Sequence, residues 1–268
     1  MFQKIKNVIS EFLYKCNLDL KRASSVPFGA YWHRDIKFFP NGRILETVLD
    51  VGANTGQTAL KVARLFPKSR IYSFEPVPST FQELVRNTAR ISKIEPVCCA
   101  LGADRGLAKM TATPLSEVNT LMISNESNSK SNPIVQVKVD TVDSFCSERE
   151  IQLVNLLKID TEGFELNVLR GAQHLLAEKR IDFILVECDF SGGKADPHGA
   201  FADILSYLSP FDFHVVSFYT GGVDDLGWYW GDVLFRRRIS GFRLKGIAMT
   251  PASRKVLVDE QNLNRSKI

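Results

Sequence analysis

Val48-Leu49-Asp50-Val51-Gly52-Ala53-Asn54-Thr55-Gly56 is the stretch on which the reading of the whole chain turns. It opens with apolar, β-branched residues, the composition of a strand buried in a parallel sheet. Two glycines then break the pattern, and from Gln57 the apolar residues recur at helical spacing. A strand, a glycine-bearing turn and a helix N-terminus together cradle a nucleotide or a related cofactor. Gly52 and Gly56, which lack a Cβ, are expected to let the backbone bend sharply and approach that ligand. Asp50 stands where the strand ends.

Working outward, a helix is expected from Gly56 to about Phe66, stopped by Pro67. Ile71–Glu75 reads as a second strand, Thr80–Ile91 as a helix and Ile94–Cys99 as a third strand. After an irregular insert, Ile134–Val139 alternates as a half-exposed strand and Thr141–Glu148 reads as a short helix. Leu153–Ile159 is a strand that ends at Asp160. A helix follows from Glu165 to about Ala177, with a kink expected near Gly171. Phe183–Glu187 is a strand ending in a second carboxylate, His198–Leu208 a helix, and Phe213–Phe218 and Asp232–Phe235 the last two strands. Such alternation predicts an α/β fold, an open and mostly parallel sheet with helices on both faces. Its ligand belongs beyond the carboxyl ends of the strands.

The flanks differ in character. Residues 1–44 combine an amphipathic helix, with Phe2, Ile5, Val8, Ile9, Phe12 and Leu13 on one side, and an irregular lead-in that is expected to reach over the crevice. Packing of that helix on the domain or on a second subunit leaves a homodimer open. Residues 45–238 form the cofactor-binding domain. Residues 239–268 are basic and read as a solvated tail. The net charge of +4 over 268 residues is too mild to imply nucleic acid. No apolar run is long enough for a membrane span. The five cysteines show no CxxC spacing, and Cys98 and Cys188 fall in strand-like runs. Buried free thiols in a reducing cytoplasm are the expectation.

The glycine spacing separates two cofactor classes. A dinucleotide loop wants G-x-G-x-x-G so that the pyrophosphate rests on the helix N-terminus. Here Gly52 and Gly56 enclose Ala53-Asn54-Thr55. That suits S-adenosylmethionine, whose charged end is an amino acid, better than NAD. Glu75, at the end of the second strand, is expected to accept from the ribose hydroxyls, with Pro76 beside it. Ala100 and Leu101 should border the adenine.

Several motifs in order then carry a resemblance. Asp50-Val51-Gly52-Ala53-Asn54-Thr55-Gly56, Phe74-Glu75-Pro76, Lys158-Ile159-Asp160-Thr161-Glu162-Gly163-Phe164-Glu165, Leu169-Arg170-Gly171-Ala172 and Val186-Glu187 resemble the signature series of the FkbM-family methyltransferases. The resemblance spans roughly residues 45 to 235. It implies a class I, Rossmann-like methyltransferase sheet of seven strands with an antiparallel last strand. It also implies S-adenosylmethionine-dependent O-methylation of a hydroxyl, or sometimes a carboxylate, of a small molecule, sugar or glycan. A non-catalytic cofactor-binding partner subunit is the further alternative.

An alcohol acceptor must lose a proton, so a base or a metal would help. Asp160 is expected to act as that base or to position the acceptor and cofactor. Lys158, two residues before it on the same strand face, is expected to set its charge state. Glu162 and Glu187 are supporting candidates, although Glu162 could equally cap the next helix. Asp160, Glu187, Asp189 and His198 offer hard oxygen and nitrogen ligands for Mg²⁺, but no spacing compels a metal and none is assigned. Trp228, Tyr229 and Trp230, placed just before the last strand, are candidates for the acceptor pocket, as is Asn119-Thr120-Leu121. His33, beside Trp32 and Arg34, reads as structural.

Overall fold

The computed structural model describes residues 26–111, 121–122, 134–190, 200–224 and 227–238. The N-terminal helix, the Ser/Asn-rich run, Asn119-Thr120, His198 and the basic tail lie outside these. From Tyr31 to Ser240 the chain forms one compact unit. The elements alternate as the apolar periodicity requires. After a short helix α1 (Trp32–Asp35), β1 (Thr47–Val51) leads into α2 (Gln57–Leu65), β2 (Arg70–Phe74), α3 (Pro78–Thr88) and β3 (Ile94–Val97). Pro78 opens α3 where its missing N–H costs nothing.

Two short strands follow, β4 (Ala100–Leu101) and β5 (Gly106–Thr111), then β6 (Leu121–Met122) and β7 (Ile134–Asp140). The second half holds α4 (Val142–Glu148), β8 (Val154–Ile159), α5 (Glu165–Arg170), α6 (Gln173–Ala177), β9 (Ile181–Asp189), α7 (Phe201–Leu208), β10 (Phe213–Asp224) and β11 (Gly227–Arg237). The Thr141 hydroxyl caps α4 by accepting from the Ser144 N–H at 3.0 Å. The expected kink at Gly171 is a full break between α5 and α6. A Cβ on Gly171 would stand 2.0 Å from the Gly102 carbonyl oxygen, so the chain crosses there at backbone contact.

The main sheet has seven strands in the order β10-β11-β9-β8-β1-β2-β3. All neighbours are parallel except β11, which runs antiparallel to both β9 and β10. Sheet order, crossover helices and the antiparallel last strand are those of the class I methyltransferase fold. A separate sheet, β4-β7-β5-β6, was not foreseen. The third strand stops at Val97, two residues short of its expected end, and Ala100 and Leu101, expected to border the adenine, form β4 and pair with Val139 and Asp140 of β7. The last two strands also run well beyond their sequence limits, so Tyr229 and Trp230 stand within β11, not before it.

The register sorts side chains between the two faces. Val51, Ile159, Val186 and Val233 are aligned across β1, β8, β9 and β11 and join one buried apolar cluster with α4, α5, α6 and α7. The rows on either side of them face the other way. There Asp50 is aligned with Lys158, and Asp232 with Glu187. The lower end of the sheet is tied by Asn155, whose Oδ1 accepts from Glu46 N at 2.8 Å and Thr47 N at 3.0 Å. Its Nδ2 donates to Asp182, which also pairs with Arg237. The lead-in is packed on the same unit: the Tyr219 hydroxyl donates to Asp35 Oδ2 at 2.9 Å, and Phe39 lies 5.9 Å from Phe183, ring to ring.

The charges on the opposite face are an exception to ordinary core composition. Asp50 is fully buried, and its counter-charge is the equally enclosed Lys158 ammonium, 3.6 Å away. Burial pushes the Asp50 carboxyl above its usual range, and Lys158 opposes that shift. Lys158 is itself held above the usual lysine value by Asp160 and Asp50, which outweigh its burial.

Two stability predictions follow from this packing. Phe235 is fully buried in the apolar cluster and stacks on Phe201; Phe235→Ala should cost about 3–5 kcal/mol in urea unfolding. Lys158→Met leaves Asp50 as an unpaired buried charge, which should cost about 3–5 kcal/mol near neutral pH. A carboxyl whose folded value lies above its unfolded one loses stability as pH rises through that window. The Lys158→Met deficit should therefore be larger at pH 8 than at pH 5. Equal deficits at both would show that Asp50 is not the group left unpaired.

Candidate active site

A cavity opens at the carboxyl ends of β1, β2 and β8. Val51, Gly52 and Asn54 form its floor, Phe74, Glu75 and Pro76 one wall, Cys99, Ala100, Leu101 and Met110 a second, and Asp160, Thr161 and Glu162 a third. Of the residues expected to bind cofactor, Gly52, Asn54, Glu75, Pro76, Ala100, Leu101 and Asp160 line it. Asp50, Ala53 and Gly56 do not.

The reasons are local. Asp50 points into the sheet face toward Lys158. Ala53 is buried beneath the turn. Gly52 adopts φ +74°, and a Cβ there would sit 1.7 Å from the Asp160 carbonyl oxygen. Gly56, at φ +97°, would meet the Leu84 side chain at 2.9 Å. At both glycines a Cβ would collide with the protein itself, at Gly52 with the Asp160 backbone and at Gly56 with a Leu84 side chain.

The turn's donors are committed too. The N–H groups of Gly52 and Ala53 both donate to the Phe74 carbonyl, at 3.1 and 2.9 Å. The Asn54 N–H donates to Glu75 Oε2 at 3.1 Å. None of the three is left for a pyrophosphate, which is the physical ground for setting a dinucleotide aside. Glu75 is buried, and its Oε1 accepts from Val77 N at 2.9 Å. Each carboxylate oxygen keeps a further acceptor site. Burial raises the Glu75 carboxyl, while the two backbone donors counter that shift. The apolar wall of Phe74, Ala100, Leu101 and Met110 suits a flat aromatic base. Met110 was missed because the alternation from Lys109 to Thr113 reads as a short strand without showing that it pairs with β7 beside the cavity.

On the opposite wall, Lys158 Nζ donates to Asp160 Oδ2 at 3.0 Å and to the Gly52 carbonyl at 3.2 Å. The same-face placement of Lys158 and Asp160 is therefore as expected from their spacing. Glu162 adopts φ +52°, and no side-chain hydrogen bond caps α5. Glu165, the first residue of that helix, ties the turn before it: its Oε1 accepts from the N–H groups of Thr161 and Gly163 and from the Thr161 hydroxyl. Glu162 lies on the cavity wall.

Carboxylate oxygens of Asp160, Glu162 and Glu187 come within 4.8 Å of one another. This trio, rather than one including Asp189, is what the fold brings together among the described residues. A hard cation could be accommodated at that spacing, but no ligand set is assigned. Beyond Glu187 stands Asp232, which the sequence reading treated only as the start of a strand. Burial and the neighbouring Asp160 and Glu187 push its carboxyl up to about 6, against the pull of Lys158 and Lys61.

The remaining candidates are peripheral. His33 stacks on Tyr31 at 5.6 Å, and burial with Lys61, Lys37, Arg34 and Arg64 lowers its imidazole to about 4, so it stays neutral at physiological pH. His174 is exposed on α6. Cys98 is exposed, not buried, because the strand ends at Val97; Cys99, Cys146 and Cys188 are buried and free. Among the described residues no helix is long and apolar enough to cross a membrane.

Comparison with known proteins agrees with this geometry. Methyltransferase 1 of Beauveria bassiana is 31% identical over 177 residues, covering 59% of this chain and 70% of that protein. The hexuronic acid methyltransferase AglP of Haloferax volcanii is 28% identical over 143 residues, covering 53% of this chain and 55% of its own length. The 2-O-methyltransferase NoeI of Sinorhizobium fredii is 24% identical over 204 residues, covering 70% and 78%. The chain thus spans little more than half of AglP and over two thirds of the other two. The Methyltransferase FkbM domain matches residues 50–215. A cavity beyond the carboxyl ends of the strands and a family match across most of the sheet lead to one conclusion: the chain belongs to the FkbM methyltransferase family and is an S-adenosylmethionine-dependent methyltransferase.

Proposed function

We propose that this chain methylates a hydroxyl of a sugar or of a comparable polyhydroxylated small molecule. The observation that carries the reading is the division of the cavity. Its Glu75 side is half apolar with one buried acceptor, and its Asp160 side is lined by carboxylates that open toward Glu187. Glu75 would hold the ribose hydroxyls of the cofactor, and Phe74, Ala100, Leu101 and Met110 its adenine. Asp160, oriented by Lys158, and the Gly52 carbonyl would face the cofactor's ammonium. The bound cofactor supplies a methyl carbon activated by its sulfonium. Glu162 and Glu187 would accept hydrogen bonds from the acceptor and orient it, since alignment is the main requirement of an in-line displacement.

A carboxylate acceptor is disfavoured, because it would enter beside three carboxylates already packed together. The same wall opposes a nucleic-acid phosphate backbone, which basic side chains neutralise. The sugar part of this reading is supported by a relative named for a hexuronic acid, and the hydroxyl part by one named for 2-O-methylation.

Calorimetry with S-adenosylhomocysteine tests the cofactor half of the scheme. Glu75→Ala removes charged acceptors worth about 1.5–3 kcal/mol per hydrogen bond, so the Kd should rise by roughly 100-fold in protein that still melts cooperatively. An unchanged Kd would sink the assignment. On the acceptor side, methyl transfer to a panel of methyl glycosides should exceed transfer to the carboxyl groups of the matching uronic acids.

A further inference from the structure

Asp232 lies beyond the residues that match the family, 50–215. The fold nevertheless brings it to the reaction side of the sheet. It is the register partner of Glu187 on the antiparallel β9–β11 ladder. Directly opposed residues project from the same face with Cβ atoms roughly 4.5–5.5 Å apart. Glu187 in turn comes within 4.8 Å of Asp160 and Glu162, oxygen to oxygen. Three carboxylates, Asp160, Glu187 and Asp232, therefore follow one another from the end of β8 across β9 to β11, starting at the Asp160 wall of the cofactor cavity.

They differ in what they already hold. Asp160 accepts from the Lys158 ammonium at 3.0 Å, so it is tied to a permanent cation. Glu187 is buried between its two neighbours. Asp232 is half-buried at the outer end of the row. The charged and titratable groups that act on it are Lys158 and Asp160 from β8, Glu187 from β9, Lys61 from α2 and Tyr219 from β10. The two lysines keep a carboxylate form attainable, while burial and the two acids give that form an affinity for a proton.

We propose that Asp232 is the catalytic residue that takes the proton from the acceptor hydroxyl. The assignment rests on the hydroxyl-acceptor reading above. The acceptor O–H bond breaks, and its proton moves to an Asp232 carboxylate oxygen. The electron pair left on oxygen forms the bond to the methyl carbon, and the pair of the carbon–sulfur bond leaves with sulfur. The proton on Asp232 then passes to water, which restores the carboxylate. A base with an affinity near neutrality, as its surroundings give Asp232, is the most effective at the operating pH.

Two measurements test this, and only one needs turnover. In the full chain labelled with carboxyl-¹³C aspartate and saturated with S-adenosylhomocysteine, the Asp232 resonance should titrate with a midpoint near 6. It is assigned by its loss in Asp232→Asn and its displacement in Asp232→Glu. A midpoint below about 4.5, in the ordinary aspartate range, overturns the proposal. With whichever methyl glycosides the unaltered enzyme accepts, log kcat should rise with unit slope to a plateau above the same midpoint. Asp232→Asn should lower kcat by roughly 10²–10⁴-fold, abolish that slope and leave the S-adenosylhomocysteine Kd unchanged; Asp232→Glu should recover part of the rate. An unchanged kcat in Asp232→Asn overturns the assignment. An unaltered enzyme inactive on the entire panel overturns the sugar reading instead, while the titration still decides Asp232.

Discussion

The Lys158 ammonium is the constraint on which the rest of the site depends. It is enclosed on the sheet face, within 3.6 Å of Asp50 on β1 and 3.0 Å of Asp160 just beyond β8. A buried ion pair stabilises little against an apolar replacement, yet losing one partner is costly because the other charge stays behind. The arrangement is therefore better understood as specifying geometry. Lys158 also donates to the Gly52 carbonyl, so a single cation joins the end of β1, the turn after it and the acid that faces the cavity. If β8 slipped by one residue against β1, the ammonium would move to the apolar face, where Val51 and Ile159 now pack.

The turn after β1 works by consuming its own hydrogen-bond donors. Gly52, Ala53 and Asn54 give their N–H groups to the end of β2, two to the Phe74 carbonyl and one to Glu75. Glu75 is thus held by the turn and by Val77 at once. Fixing a buried carboxylate with two backbone donors pre-organises it as an acceptor and opposes the upward push of burial on its carboxyl. With these three donors committed, the turn holds Glu75 as a rigid acceptor for hydroxyls.

The acceptor side follows a different rule. Acids accumulate across β8, β9 and β11, with Lys158 and Lys61 as partial compensation. Like charges at close range divide into groups that stay ionised and groups that pick up protons, and such division is how one site holds both positioning and proton-transferring carboxylates. The antiparallel strand β11 is what completes the row, because it returns across β9 and sets Asp232 opposite Glu187.

How far the sequence reached can be argued from these same residues. Alternation of short apolar runs with helical periodicity gave the main sheet, and the acid at the end of each strand marked Glu75, Asp160 and Glu187, because a strand's carboxyl end faces the crevice in such sheets. The second sheet escaped because β4 and β6 have two residues each, too few for any period to register, while Met110 lies on β5, whose alternation from Lys109 signals a strand but not its neighbours. Asp50, Ala53 and Gly56 were assigned to the ligand because a motif records proximity in sequence, whereas the side-chain direction that turns Asp50 toward Lys158 and the close packing of Gly56 on Leu84 arise only from neighbouring strands and helices. Glu162 read equally well as a helix cap or a site residue until the backbone there took a left-handed turn and left the helix start without a side-chain cap. The chain by itself determined the fold, the cofactor class and the acids at the strand ends, since these rest on local periodicity and turn chemistry. That Asp50 shares the Lys158 ammonium with Asp160, and that Asp232 stands opposite Glu187, was decided only when register aligned distant strands, because charge coupling depends on distance in space.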